Sequence, residues 1–454
     1  MTHRGSRVLR VASLARVEGE GALHLRVAGD RVEEARLRIY EPPRFFEAFL
    51  RGRAHTEPPD ITARVCGICP VAYQMSACRA VEDACGIEVG APIRDLRRLL
   101  YCGEWIESHA LHIHLLHAPD FLGCAGAVEL ARTERSAVER GLRLKQAGNA
   151  LMEQLGGRAV HPVNVRLGGF HRAPARDELR PLAERLRQAA DDAWETVRWV
   201  ASFDFPDTSV DADLLALARP DTYAVDAGTP TVLRADGGTG SFPVRDFPER
   251  VREEQVPHST ARHARLDGRR HLTGPLARFA VGGSRLSPTA REAARAAGLG
   301  DPAEGAVCRN PYRSILVRAV EVVYAVDEAL RLIAAYEPPP RPFVDVPPVA
   351  ATGHGATEAP RGLLYHRYRL DAEGTVTDAR IVPPTAQNQG AIEDDLLRAA
   401  QAALSGRGAG RAEEVGDEEL TLLCERTIRN HDPCISCSTH FLDLTVDRIR
   451  PPEE

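Results

Sequence analysis

The chain has 454 residues, 43% apolar and 27% charged, an ordinary balance for a globular protein large enough to bury a sizeable core. Its 58 basic residues (Lys145 the one lysine) against 64 acidic ones leave a net charge of −6, which excludes a chain-wide basic footprint for nucleic acid. Ten cysteines are too few for a disulfide scaffold, and no run of 18 apolar residues is present to span a membrane.

Taken in chain order, residues 10–40 read as strands. Leu23, Leu25 and Val27 alternate with polar neighbours, and Gly29-Asp30 is a turn signal ahead of Val32. Met1 to Arg10 lacks the apolar stretch of an export signal. A short helix is expected over 44–51; Pro58-Pro59 breaks it, and Cys66-Gly67-Ile68-Cys69 follows in a loop. Helical periodicity then dominates at 70–86, 93–117, 135–155 and 177–203. In the last, Leu179, Leu182, Leu186, Ala189, Ala190 and Val197 share a face. Over 205–290 the period fades into loops and small strands. A helix at 312–335 carries Ile315, Leu316, Ala319, Val322, Val323, Val326 and Leu330 on one side. Two proline runs, 338–340 and 347–348, mark an extended connector. Residues 362–382 read as a hairpin about Asp371-Ala372-Glu373-Gly374, with helices at 390–404 and 417–430 beyond it. Gly237-Gly238-Thr239-Gly240 lacks the strand-before, helix-after context of a dinucleotide site. The sum is an α+β, predominantly helical fold.

Four cysteines form two Cys-x-x-Cys pairs, Cys66/Cys69 and Cys434/Cys437. Two intervening residues let both sulfurs of a pair reach one metal, so two pairs make a four-thiolate site. Zinc ribbons space their pairs roughly 15–20 residues apart; these stand at opposite ends of the chain. A zinc staple joining the two ends stays open on spacing alone. Cys78, Cys85, Cys102, Cys124, Cys308 and Cys424 read as small apolar residues.

The segments Arg64-Val65-Cys66-Gly67-Ile68-Cys69-Pro70 and Asp432-Pro433-Cys434-Ile435-Ser436-Cys437-Ser438-Thr439-His440 resemble the large subunit of nickel–iron hydrogenases. Further matches are Arg16-Val17-Glu18-Gly19, Arg44-Phe45-Phe46-Glu47, His161-Pro162 with Gly168-Gly169, Glu358-Ala359-Pro360-Arg361-Gly362, and Pro384-Thr385 with Asn388. The wording of Glu41–Glu47 and Cys437–His440 is most similar to the cytoplasmic NAD(P)-linked, sulfhydrogenase-like alpha subunits. Glu20 stands where the family commonly has histidine, and Ala386-Gln387 where it has threonine-tryptophan.

The resemblance implies one interlocked domain over 1–454, with a large helical core and small N-terminal and peripheral β-sheets. Its parts are strands at 10–40, the first cysteine pair and helical core at 44–203, an irregular or β insert at 205–290 and a core helix at 312–335. Hairpin, helices and second pair fill 350–440, and a tail at 441–454 is cut off after His440. Cys66, Cys69, Cys434 and Cys437 would hold nickel, with Cys69 and Cys437 bridging to an iron that carries CO and two cyanides. The implied reaction is reversible, heterolytic cleavage of H2, with Cys434 as first base and Glu18 as next proton acceptor. Arg361 would overhang the metals, Thr385 would offer a donor to a cyanide, and Asp120 and Asp432 would be acidic residues nearby. Glu47 and His440 would bind a separate Mg2+ or Fe2+, although Glu47 by itself reads as a partner of Arg51 one helical turn on. The histidines at 109, 112, 114 and 117 read as packing residues. No cysteines remain in an obvious iron–sulfur pattern. Electrons are therefore expected to leave through an iron–sulfur small subunit to a flavin-containing NAD(P) module, with maturation factors and a C-terminal endopeptidase as further partners. The rival reading is a zinc-stapled or catalytically inactive relative serving as a structural subunit of a redox complex.

Overall fold

A computed structural model describes residues 6–406 and 415–439. Alternating burial builds the first sheet, in which β1 (Ser6–Val11), β2 (Gly21–Ala28) and β3 (Arg31–Ile39) run antiparallel. Leu23, Leu25 and Val27 point inward from β2, as the period of two requires. Two short helices follow, α1 (Phe46–Leu50) and α2 (Pro58–Thr62). The Pro58-Pro59 pair, expected only to end a helix, also begins one, because proline's fixed φ suits a first helical turn.

The helical core holds α3 (Pro70–Ala84), α4 (Ala91–Leu111), α5 (Ala118–Phe121), α6 (Ala127–Thr133), α7 (Arg135–Gly156) and α8 (Arg180–Ala201). The stretch expected as one helix over 93–117 changes character after Leu111: His112–His117 is a π-helical turn. On α8 the buried face runs through Leu182, Leu186, Ala189, Ala193, Val197 and Val200, so Ala193 rather than Ala190 completes the stripe. Between α7 and α8, β4 (Val165–Arg166) and β5 (Gly169–Phe170) form a small ribbon.

The 205–290 region is more ordered than its weak periodicity suggests. A four-stranded sheet has the order β11-β6-β7-β8, from β6 (Asp213–Ala218), β7 (Thr229–Leu233), β8 (Thr239–Ser241) and β11 (His271–Leu272). β9 (Val251–Glu254) pairs with β10 (His263–Leu266), and α9 (Phe247–Arg250) and α10 (Pro275–Gly282) flank them. After α11 (Pro288–Ala296), helix α12 (Ser314–Ala334) is buried almost all round, which marks it as the central helix.

The hairpin expected over 362–382 is the last two strands of a three-stranded sheet, β12 (Thr352–Ala359), β13 (Gly362–Leu370) and β14 (Val376–Val382). β12 lies directly on α3. A Cβ on Gly353 would stand 2.0 Å from the Ala80 carbonyl oxygen, and one on Gly355 2.4 Å from that of Ser76. Two residues apart on a strand, these glycines share the face that meets the helix. α13 (Pro384–Ser405) starts six residues before the expected 390, with Pro384 in its first turn, and α14 (Asp417–Asn430) follows. α13 and α14 pack on β1–β3 in a second apolar cluster, while the four paired cysteines lie in the main core cluster.

Candidate metal centre

The chain's two ends supply one site. Cys69 caps the N-terminus of α3, and Pro70 opens the helix. The fully buried Glu104 of α4 accepts hydrogen bonds from the Val71 and Ala72 N–H groups at 2.6 and 3.1 Å, satisfying amides that α3 leaves unpaired and fixing the first cysteine loop. The second loop is held by Thr385 at the start of α13, whose Oγ1 accepts from the Cys434 N–H at 3.0 Å. The Tyr73 hydroxyl donates to the Cys437 carbonyl at 3.3 Å.

Cys66, Cys69, Cys434 and Cys437 consequently bring four buried sulfurs within 4.8 Å of one another. Sγ separations are 3.5 Å for Cys66–Cys434, 3.5 Å for Cys69–Cys437 and 2.7 Å for Cys434–Cys437, and none is in a disulfide. Hydrogen bonds from the Cys434, Cys437 and Cys69 thiols hold Cys66 well below the ordinary thiol range, while burial pushes Cys434 well above it. Four sulfurs sharing protons this closely form a donor set suited to a soft metal centre.

The N-terminal segment completes the site. Glu18 and Cys434 form a parallel bridge in which the Ile435 N–H donates to the Glu18 carbonyl at 3.0 Å. Glu18 Oε2 accepts from Cys434 Sγ at 3.0 Å and from the Ser436 N–H at 3.1 Å. Burial, then the charge of Cys66, pushes the Glu18 carboxyl above its usual range. Gly19 has φ +87°, and a Cβ there would stand 2.7 Å from Glu41 Oε2 and from Ile435 Cβ, so only glycine permits this approach.

Arg361, in the tight turn between β12 and β13, is 3% exposed and reaches into the site. Its Nε donates to the Asp432 carbonyl at 3.0 Å and its Nη2 to Asp432 Oδ1 at 3.1 Å, and Ser108 Oγ lies 3.4 Å from Nη1. Asp432 itself sits at φ +50°, a left-handed conformation that aspartate tolerates and that aims both its acceptors at the guanidinium. Asp120 is placed differently. Its oxygens are taken by Arg16 at 2.6 Å and by Arg429 at 2.7 and 2.8 Å, which against the effect of burial hold it below the usual carboxylate range. Arg429 in turn donates to the Ala15 carbonyl at 3.2 Å, so Asp120 anchors the segment that delivers Glu18.

Glu47 is buried, and its Oε1 accepts from the Ile381 N–H at 2.8 Å; burial pushes its carboxyl up to about 7. The expected Arg51 partnership is not formed: Arg51 approaches Asp378 instead, at 3.8 Å. His440 and the 441–454 tail lie outside the described residues. The four clustered histidines serve packing. His109 meets Glu321 at 2.9 Å, and His112 the Arg429 carbonyl at 3.0 Å. His114 stacks on Trp199, and His117 contacts Asn430 at 3.0 Å. The remaining six cysteines enter no metal-binding group among the described residues. Glu104, Tyr73 and Ser108 were invisible as site residues. Each lies inside a long, largely buried helix whose periodicity speaks only of burial.

A closed structural zinc site would need the four sulfurs alone. Here a carboxylate, a guanidinium and a hydroxyl converge on them, an arrangement suited to a reactive centre. Comparison with known proteins agrees. A family model described as nickel-dependent hydrogenase matches residues 44–149 and 252–440. The chain is 32% identical over 441 residues to the sulfhydrogenase 1 subunit alpha of Pyrococcus furiosus, covering 96% of this chain and 98% of that protein. It is 26% identical over 474 residues to the NAD-reducing hydrogenase HoxS subunit beta of Cupriavidus necator, covering 96% and 95%. Among solved structures, an NAD+-reducing [NiFe]-hydrogenase in the H2-reduced state superposes with a TM-score of 0.82 at 26% identity, covering 96% of this chain and 99% of the other.

Proposed function

Because the chain belongs to the nickel-dependent hydrogenases, we propose that it is the catalytic large subunit of a cytoplasmic nickel–iron hydrogenase, interconverting H2 with two protons and two electrons. The observation that carries this reading is the 3.0 Å contact between Cys434 Sγ and Glu18 Oε2, beside three further convergent thiols. Cys66, Cys69, Cys434 and Cys437 are the residues that would hold a nickel–iron centre with its CO and cyanide ligands. When bound, that group supplies the electron-rich, coordinatively open site at which H2 is polarised.

The chain's own residues do the rest. Cys434 Sγ is the first proton acceptor, and Glu18 Oε2, already in hydrogen-bond contact, takes the proton onward. Arg361 places a fixed, planar cation over the sulfurs, held from behind by Asp432. The Thr385 oxygen is occupied by the Cys434 amide, which leaves its hydroxyl proton free to donate into the site. Asp120 acts as a positioning residue through Arg16 and Arg429. Glu47 would bind Mg2+ or Fe2+ together with His440. Maturation factors would load nickel, and an endopeptidase would then remove residues 441–454; an intact mass ending at His440 in nickel-loaded protein checks it.

Two electrons per H2 must leave, and no second cysteine cluster exists among the described residues. They pass to an iron–sulfur small subunit and then to a flavin-bearing module that reduces NAD(P). The experiment is H2-dependent NAD(P)+ reduction by the purified complex. Activity present in the native complex and lost together with nickel in Cys434→Ser is the expected result. Full activity in that variant would contradict the assignment.

A further inference from the structure

Away from the sulfur quartet, His258, His263 and Glu393 bring three ligating groups within 4.8 Å of one another. His263 opens β10, His258 lies in the loop before it, and Glu393 sits on α13. Glu393 Oε1 accepts from the Leu37 N–H of β3 at 3.1 Å and lies 2.7 Å from His258 Nε2. Its Oε2 stands 3.9 Å from His263 Nδ1, too far for a hydrogen bond. One ion would span that gap, since donors about 2.0–2.2 Å from a metal stand roughly 3–4 Å from each other.

His263 is 2% exposed, and Nδ1 is its nitrogen nearer Glu393; with Nδ1 on the ion, Nε2 carries the ring proton. The rings of His258 and His263 are 5.5 Å apart and nearly perpendicular, at 86°, so neither stacks on the other. Burial pushes both imidazoles below their ordinary range, His263 down to about 3, which keeps them in the neutral form that ligates metals.

Three arginines facing the group are each paired with an acid of their own, which offsets part of their repulsion of a cation. Arg36 pairs with Glu34, Arg265 with Glu254 at 2.9 Å, and Arg270 with Asp394 at 3.4 Å. Glu393 is left without a guanidinium of its own. His258 also lines an open groove of about 640 Å³, with Arg36, Arg38 and Tyr40, which gives an ion a way in.

We propose that His258, His263 and Glu393 form a divalent-metal site of the two-histidine, one-carboxylate type, taking a borderline ion of the Zn2+ class. It is distinct from the sulfur quartet and from Glu47. On binding, the His258 ring proton moves from Nε2 to Nδ1, which frees the Nε2 lone pair for the ion and keeps the imidazole neutral. The ion ties α13 to β10 and the loop before it, and α13 is the helix whose Thr385 holds the Cys434 loop. The site thus acts as a staple under the metal-bearing loop.

The test uses the purified holoenzyme with its partners, passed over a chelating resin and titrated with Zn2+ or Co2+ alone. Native protein is expected to bind one equivalent more than His258→Ala, to show a Co2+ ligand-field absorption that the variant lacks, and to melt at higher temperature when metal is added. The His258 side chain is only 16% exposed, so unchanged nickel and iron content in the variant is the control that the fold survives the truncation. Glu393→Gln, which keeps the side chain's shape, should lose the same equivalent. Equal metal binding by native protein and His258→Ala, with no Co2+ band in either, would overturn the proposal.

Discussion

Glu18 and Cys434 are 416 positions apart in sequence and 3.0 Å apart in space, and the proposed proton path rests on that contact. Glu18→Gln keeps the side chain's shape and an oxygen for the Ser436 amide but cannot carry the proton. The variant should retain nickel and iron and lose about 10²–10⁴-fold in H/D exchange, the usual worth of a positioned acid–base group. Exchange at the native rate would remove Glu18 from the path. Arg361 makes its two bonds to Asp432 through the planar fork. Lysine offers only a point charge. Arg361→Lys should therefore keep the fold and the metals while turnover, followed by H2 uptake, falls roughly 10²–10³-fold. Both residues were legible because short motifs surround them. Glu104 was not, since its role is to cap another helix's first amides, and only the crossing of α3 and α4 reveals it.

At the scale of elements, α10, α12 and β12 are joined by a buried ionic cluster. Arg278 donates to Glu321 at 2.7 and 2.8 Å and to Glu358 at 3.2 Å, with Trp105 beneath its guanidinium. Replacing it with methionine preserves bulk but leaves two buried carboxylates unpaired, which should cost about 3–5 kcal/mol in denaturant unfolding. The pH profile gives an independent check. Although burial pushes Glu321 up, Arg278 and His109 pull it down to about 2 from an ordinary 4.5. A depressed carboxyl stabilises the fold above its unfolded value and loses that contribution as pH falls through the folded one. Native protein should therefore gain stability between about pH 2 and 4.5 from this group, and Arg278→Met should not. The cluster was hidden in the sequence, because an arginine and two glutamates far apart give no periodic signal. Helices with a strong 3.6 period were legible to within a few residues. β12 was not, because its glycines meet α3 and leave none of the alternation by which strands are recognised.

Over the whole molecule, the chain brings its first strands, its last loop and the N-terminus of α3 to one point, with Glu18 and Ile435 pairing backbone to backbone. The fold class was readable from helical and strand periodicity, and the sulfur quartet because two Cys-x-x-Cys pairs at opposite ends suggest one four-thiolate site. The His258–His263–Glu393 group was not, since an H-x4-H pair alone is a weak signal and Glu393, far along the chain, meets it only when α13 docks on β3 and β10. Under the proposed function the quartet carries a nickel–iron centre with CO and cyanide ligands, in place of zinc. Infrared spectroscopy of the purified complex tests it most directly. Sharp bands of metal-bound CO and cyanide that shift on exposure to H2, and vanish in Cys434→Ser, are the predicted result. A spectrum without those bands from protein carrying one zinc per chain would contradict it.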